Sequence, residues 1–150
     1  MTIAEFRELA EKKDLLSILR RKRELAKGEQ REQIDVHIHC VENSIDMFAI
    51  PNGTYKSQRA SGMFKAEGLK AGVPDLFFPI ANKYYHGLFI EMKKRPKILN
   101  SGKKSFAWIK VSKEQEEWVQ KLRNNGYEAK VCYGADEAIE VIDFYRCQGQ

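Results

Sequence analysis

The chain has 150 residues, 43% of them hydrophobic and 31% charged, with a net charge of +5 and a pI of about 9.1. This composition fits one globular domain with its own core, and the basic bias suggests a polyanionic partner. Short apolar runs, a charged N-terminus and three cysteines without CxxC spacing argue against membrane spans, a signal peptide and a disulfide framework, so we expect a cytoplasmic protein, in a cell or in an infected host.

A long helix is predicted at the start of the chain, over residues 2–27. Thr2 and Glu5 have the spacing of a capping box, apolar side chains recur at helical spacing, and Gly28 is expected to end the helix. The basic run Arg20–Arg23 lies in this helix. It is either a solvated helix end favoured by the helix dipole or a contact for phosphate.

A second helix is predicted over residues 29–41. We interpret its two histidines, His37 and His39, as polar helix residues rather than as metal ligands. Three shorter elements are predicted next, namely a strand at residues 46–50, a turn at 51–53 and a helix at 57–68.

Two apolar runs, residues 74–80 and 86–93, predict a β-hairpin. If its turn is centred on Lys83, the numbers of paired residues sum to 166, and Asp75 falls opposite Glu91. Because side chains alternate along a strand, one face of the hairpin is wholly apolar and must be buried. Asp75, Glu91 and Lys93 share the other face, at one end of the hairpin.

The charges on this hairpin allow two interpretations. Opposed carboxylates repel each other, and a hard divalent cation such as Mg²⁺ would reverse that effect because it takes oxygen ligands. Lys93 could then orient an attacking water or stabilise charge on a phosphorane. The alternative is a surface salt bridge in which Lys93 neutralises Asp75 or Glu91. The spacing alone leaves both open.

The remaining residues predict a helix, a strand and a final helix. Ser112 begins the first of these helices and Gly126 lies at its C-terminal cap. Alternation predicts a strand at residues 127–133, and residues 135–146 form the last helix. The mixed order of helices and strands predicts an α/β domain with a mixed four-stranded sheet flanked by helices.

Four segments of this chain, in this order, resemble a known family. They are "FAIPNG" (48–53), "KAEGLKAGVPDLFF" (65–78), "GLFIEMK" (87–93) and "SKEQEEWVQKLRNNGYEAKVCYGADEAIEVI" (112–142). Together they are similar to the virus-type replication-repair nuclease (VRR-NUC) branch of the PD-(D/E)XK nuclease superfamily. The resemblance implies a restriction-endonuclease-like α-β-β-β-α-β core in residues 29–150, with residues 1–28 as an extra N-terminal helical extension.

The resemblance also implies roles for individual residues. Asp75 and Glu91 would bind Mg²⁺, with Mn²⁺ able to substitute, and Lys93 would be the catalytic lysine. The carbonyl of Met92, between Glu91 and Lys93, is a further expected metal ligand.

The family also has a glutamate on the helix before the first strand and a glutamine at the start of a later helix. For the glutamate we favour Glu29 over Glu32, because Gln33 follows Glu29 by one helical turn. The glutamine would be Gln115. Its spacing from Ser112 also forms a capping box, so it has a structural reading beside the catalytic one, and both can hold together.

Residues 94–111 depart from the family by forming a longer and very basic loop. From Lys93 to Lys113 there are eight basic residues and no Asp or Glu. We expect this loop to grip a phosphate backbone and to stack on an unpaired base, with a flexible solvated loop as the alternative. The expected nucleic-acid contacts are Lys94, Arg95, Lys97, Lys103, Lys104 and Trp108.

These expectations combine into a magnesium-dependent DNA endonuclease that hydrolyses phosphodiester bonds. Phosphate contacts carry little sequence information, so branched or otherwise structured DNA in replication, recombination or repair is the expected substrate. From the resemblance we also expect a phage-encoded protein. By analogy with nucleases that cut both strands of a junction, we expect a homodimer. The alternative is a nucleic-acid-binding module of the same fold without catalysis.

Overall fold

The computed structural model of the protein describes residues 1–51 and 58–148, with residues 58–61 described by their backbone alone. Within these ranges the helices are α1 (Ile3–Leu25), α2 (Gly28–Glu42), α3 (Gln58–Ala66), α4 (Lys113–Asn124) and α5 (Ala135–Cys147). The strands are β1 (Phe48–Ala49), β2 (Leu76–Phe78), β3 (Leu88–Lys93), β4 (Lys97–Ile98), β5 (Lys104–Ser105) and β6 (Glu128–Tyr133). Part of the predicted turn (Asn52 and Gly53) and the first residue of the next predicted helix (Ser57) lie outside the described residues.

The central sheet has four strands in the order β1-β2-β3-β6. β3 and β6 are parallel, and the other neighbours are antiparallel. The β2–β3 hairpin has the predicted register, because Leu76 pairs with Ile90 and Phe78 with Leu88. Asn82 fixes the turn between the strands, since its side-chain oxygen accepts the backbone N–H groups of Tyr84 and Tyr85 at 2.8 and 2.9 Å. This mixed sheet flanked by helices confirms the predicted fold class.

The hydrophobic core lies between one face of the sheet and helices α2 and α5. The predicted apolar face of the hairpin is buried there, except for Ile80, which is partly buried. Tyr145 of α5 packs into this core, and its hydroxyl donates to the carbonyl of Ile80 at 2.7 Å. Cys40 and Cys132 are buried as free thiols, and burial raises the pKa of each to about 12.

Helix α4 packs against β6 on the other face of the sheet. Its start is capped as predicted, because the Ser112 hydroxyl accepts the N–H of Gln115 at 3.2 Å and the Gln115 side chain accepts the N–H of Ser112 at 2.9 Å. Gly126 follows the helix with φ +83°, a conformation that favours glycine. The start of α4 lies beside Glu91 and Lys93 of β3, to which Gln115 is hydrogen-bonded.

Helix α1 packs on α2 through its C-terminal part. Leu19 is buried, and Arg23 forms an ion pair with Asp35 of α2. Gly28 does not end the first helix as predicted but begins α2 instead. The end of α2 lies beside Lys12, whose ammonium bonds to the Glu42 carbonyl at 3.0 Å. The first turns of α1 therefore extend past α2, and apolar residues of the predicted stripe are exposed there, namely Ile3 (76%) and Phe6 (60%).

Two strand predictions and one loop prediction differ from the structure. The strands predicted at residues 46–50 and 74–80 shorten to β1 and β2. The loop predicted at residues 94–111 contains a two-stranded antiparallel ribbon in which Lys97 pairs with Ser105 and Ile98 with Lys104. This segment, residues 94–111, is called the basic ribbon below. Over the described residues, no helix has the length and apolarity needed to cross a membrane.

Candidate active site

Strand β3 places Glu91 and Lys93 two residues apart on the same face, under the start of α4. Their side chains are only 2% and 8% exposed, and Lys93 Nζ lies 3.0 Å from Glu91 Oε1. The predicted salt bridge is therefore present, but it is buried rather than on the surface. Asp75 immediately precedes β2, and its Oδ2 accepts the backbone N–H of Met92 at 2.8 Å. The hairpin register thus brings both carboxylates to one end of the sheet, as predicted.

The loop before Asp75 is pressed against the beginning of α4. Gly72 has φ +82°, and a Cβ at this position would lie 2.6 Å from the carbonyl carbon of Glu114. Only glycine tolerates both the left-handed conformation and the close approach. Pro74 follows and is buried. The "GVPD" segment thus holds Asp75 at a fixed distance from the helix that carries Gln115.

Gln115 joins the helix start to the buried ion pair. Its Oε1 accepts hydrogen bonds from the Ser112 N–H at 2.9 Å and from Lys93 Nζ at 3.1 Å. Its Nε2 donates to Glu91 Oε1. Gln115 therefore caps α4 and contacts Glu91 and Lys93 with the same side chain, and its catalytic role stays a prediction. Glu91, Lys93 and Gln115 form a triangle in which each member contacts the other two.

The electrostatics of Glu91 are those of an incompletely neutralised buried carboxylate. Burial and the neighbouring Asp75 raise its pKa and Lys93 lowers it, which leaves the pKa at about 7. Both Lys93 and Gln115 contact Oε1. Oε2 is buried and has no hydrogen-bond partner among the described residues. Burial of an oxygen in that state is costly, and a positive group beside it would lower that cost.

A divalent metal ion fits this donor set. Glu91 Oε2 is a hard oxygen without a partner among the described residues, and Asp75 places a second carboxylate beside it. In the part of the chain that the structure describes, no group of three or more His, Cys, Asp or Glu side chains is arranged to hold a metal. A cation at this position would thus take further ligands from water or main-chain oxygen. The expected Met92 carbonyl ligand stays a prediction.

The two glutamates at the start of α2 have different surroundings. Burial raises the pKa of Glu29, and its charged neighbours are Lys93, Asp75 and Lys94, so this carboxylate faces the site. Glu32 is occupied elsewhere, because it accepts the N–H of Ala135 at 2.8 Å and two guanidinium hydrogen bonds, both of 3.2 Å. The structure therefore places the favoured Glu29 at the site and the alternative Glu32 at the start of α5.

The partner of Glu32 is Arg95, at the base of the basic ribbon. Arg95 also pairs with Asp136 at 2.9 Å, so this expected phosphate contact is held by two carboxylates. Phe106 stacks edge-on against Tyr133, with ring centroids 5.1 Å apart. The other expected nucleic-acid contacts are exposed, and they are Lys94, Lys97, Lys103, Lys104 and Trp108 (72%).

The first basic run and the two histidines of α2 lie away from the buried ion pair. Arg20 pairs with Glu42 at 2.9 Å, so Arg20 and Arg23 of the first basic run are engaged by α2. His39 contacts Asp143 of α5 at 3.2 Å, and His37 lines an open groove beside the site. Sequence reasoning missed this groove, because its walls come from α2 and β1, whose packing no local pattern reveals.

Comparison with known proteins agrees with this geometry. The family model described as the VRR-NUC domain matches residues 11–136. A solved structure named "VRR_NUC domain protein" is 24% identical, with 83% of this chain and 93% of that chain covered and a TM-score of 0.61, which shows the same fold. No curated protein matches the chain. Since the family model spans most of its length, from α1 to the start of α5, the chain belongs to the VRR-NUC domain family.

Proposed function

We propose that this protein is a magnesium-dependent DNA endonuclease that acts on branched or otherwise structured DNA. Membership of the VRR-NUC family makes it a nuclease-type protein. The observation that carries the proposal is the buried triangle of Glu91, Lys93 and Gln115 beside Asp75, in which one carboxylate oxygen has no partner among the described residues. A module that only binds DNA gains nothing from carboxylates clustered near phosphate, which they repel.

The carboxylates hold the metal in this mechanism. Asp75 and Glu91 would bind Mg²⁺, with Mn²⁺ able to substitute, and Glu29 would contribute from α2. A divalent cation bound there supplies a water of lowered pKa and neutralises charge on the scissile phosphate. The Met92 N–H fixes the rotamer of Asp75, and Gln115 fixes that of Glu91. Their orientation is therefore set before any substrate arrives.

Lys93 has a separate task in the same mechanism. Its ammonium is held by Glu91 and Gln115 at 3.0 and 3.1 Å, so its position is fixed although its side chain is long. A positive group held in a buried site stabilises the negative charge that develops on a pentacoordinate phosphate. It can also orient the attacking water by hydrogen bonding.

The exposed lysines of the basic ribbon would contact phosphates outside the site, and Trp108 would stack on an unpaired base. These lysines lie in the segment that directly follows Lys93 in the chain, and DNA bound on them would pass near the site. Contacts of this kind give affinity without reading sequence, which favours DNA structure as the specificity determinant.

A cleavage assay tests this proposal. Duplex, single-stranded, flap and four-way DNA are incubated with the protein and with Mg²⁺, Mn²⁺ or EDTA. We expect metal-dependent cleavage of branched DNA, and a loss of at least about a hundredfold in the variants Glu91→Gln and Lys93→Met. Glu11→Gln and Lys83→Met, which change exposed residues away from the site and from the basic ribbon, serve as matched controls and should cleave normally.

Cleavage by Glu91→Gln at the wild-type rate would refute the mechanism. Tight binding of branched DNA without cleavage under any metal would favour the non-catalytic binding module instead. Salt titration of the binding separates both cases from a protein with no nucleic-acid partner, because contacts to phosphate weaken steeply as salt rises.

A further inference from the structure

An open groove of about 970 Å³ lies between α2 and β1 and ends at the candidate active site. Glu29 and Asp75 form the end nearest the site. One wall is the face of α2 that carries Gln33 and His37, and the opposite wall is β1 with Phe48. The volume is at the upper end of the range of about 300–1,000 Å³ seen for small-ligand sites.

The charges around the groove disfavour a phosphate backbone as its occupant. No lysine or arginine lines it among the described residues, and beyond the proposed metal position the two carboxylates at its end repel phosphate. The exposed lysines next to the site lie instead on the basic ribbon beyond β3. A DNA strand across the site would therefore place its phosphates on the ribbon side, and only an uncharged part of a nucleotide suits the groove.

The groove walls match the two surfaces of a nucleobase. Phe48 is 52% exposed although it is a large aromatic residue, and its ring is held edge-on by Phe77 at 5.3 Å between centroids. A base can stack on the free part of such a ring. On the other wall, the Gln33 amide makes no hydrogen bond with any described residue, so its donor and acceptor remain available for a base edge. His37 adds a neutral imidazole, because burial lowers its pKa.

We infer that this groove binds an unpaired nucleobase of the DNA strand that lies in the active site. Stacking would be on Phe48, and hydrogen bonds would come from Gln33 and His37. A base inside a duplex cannot enter, because its edge is paired and both its faces are stacked. The groove thus selects DNA with an unpaired or extruded nucleotide next to the scissile phosphate. This inference rests on the proposed nuclease function for its choice of strand.

Binding without catalysis tests the groove. A forked DNA with 2-aminopurine in its single-stranded arm is titrated in EDTA, with a fluorescein-labelled duplex of equal length as the reference. The test variants are Phe48→Leu, which keeps an apolar side chain against Phe77, and Gln33→Leu. Phe144→Leu and Gln120→Leu are matched controls on exposed faces of α5 and α4. Thermal unfolding confirms that each variant is folded.

We expect the wild type to quench 2-aminopurine, and Phe48→Leu to bind the fork about tenfold more weakly while duplex affinity stays the same. Gln33→Leu should weaken fork binding in the same direction, and the controls should bind as the wild type does. Equal fork affinity in Phe48→Leu and wild type, with quenching unchanged, would overturn the inference.

The same variants, assayed for cleavage in Mg²⁺, separate this inference from the proposed function. If the groove variants change neither fork binding nor quenching and cleavage is normal, the groove does not bind a base, and the proposed nuclease function stands. If fork binding depends on the groove residues but no DNA is cleaved, the base-binding role of the groove is supported and the proposed nuclease function is refuted.

Discussion

Glu91 combines a carboxylate oxygen bound to Lys93 and Gln115 with another that has no partner among the described residues. This state has an energetic consequence, because a buried carboxylate with a raised pKa opposes folding once it ionises. The charged groups around it are Asp75 and Glu29, which raise its pKa, and Lys93, which lowers it. The ionised Glu91 side chain therefore lowers the free energy of unfolding of the protein.

This state predicts a pH-dependent effect of Glu91→Gln. Below the unfolded pKa both states hold the proton, so wild type and variant differ little. Between that pH and about 7 the folded wild type retains a proton that the unfolded chain has released, so its stability falls as pH rises. The variant cannot ionise and escapes this decrease. We expect Glu91→Gln to be more stable than wild type by about 1–3 kcal/mol at pH 8 and by much less at pH 4.5.

Thermal unfolding in EDTA at the two pH values measures this difference, with Glu140→Gln as the control. Addition of Mg²⁺ at pH 8 should then raise the melting temperature of the wild type and leave that of Glu91→Gln almost unchanged. A stability difference independent of pH would contradict the assignment of a raised pKa to Glu91.

At the scale of elements, the hairpin was predictable in detail and the basic ribbon was not. The register followed from period-two alternation, since a shift by one residue would expose the whole apolar face, and Asn82 supplies a turn signal. The capping box at Ser112 is likewise a local pattern. The β4–β5 ribbon joins residues by main-chain pairing with no buried face, and such pairing leaves no periodic trace in the sequence.

The two α2 glutamates show the limit of helical spacing. Glu29 and Glu32 are less than one turn apart, so periodicity alone could not separate them, and the resemblance only ranked them. Their surroundings are set by distant partners, namely Lys93 near Glu29, and Arg95 and Ala135 near Glu32. Local sequence patterns do not reveal contacts between elements that are far apart in the chain.

The different surroundings of the two glutamates predict that Glu32→Gln affects stability and that Glu29→Gln affects cleavage. Glu32→Gln weakens the ion pair with Arg95 and the acceptor at the start of α5, so we expect a decrease of about 1–2 kcal/mol in the free energy of unfolding. Glu29→Gln should leave stability near that of the wild type and lower cleavage. Urea unfolding and the cleavage assay, run on both variants, check the pair. A reversal of the two effects would assign the site to Glu32.

The basic ribbon makes a further prediction about binding. Replacement of Lys97, Lys103 and Lys104 by alanine should weaken binding of every DNA in the panel. The slope of log K against log salt should become shallower by about 0.9 for each duplex phosphate that the variant no longer neutralises. Fluorescence anisotropy across a salt series measures both quantities. The matched control replaces three exposed lysines elsewhere, Lys13, Lys83 and Lys121, and an equal change in the control would show that only net charge matters.

At the scale of the whole molecule, the described residues of a chain form one candidate site, whereas cleavage of both strands of a junction needs two. We therefore expect a homodimer in solution, with a mass of 2 × 17.4 kDa, which is 34.8 kDa. Light scattering coupled to size exclusion, with and without forked DNA, measures it. A species of 17.4 kDa under both conditions would show that the chain acts alone.

The order of strands in the sheet also bears on when the site can exist during synthesis. β3 carries Glu91 and Lys93, yet its parallel neighbour β6 follows only after α4, which brings Gln115. The last helix is needed as well, since Tyr145 ties the end of the hairpin through Ile80. In a growing chain the local β2–β3 hairpin can bring the two carboxylates together, whereas Gln115 and the parallel pairing with β6 are added later, because non-local pairing forms late. We therefore expect the proposed activity only in a chain that has folded through α5.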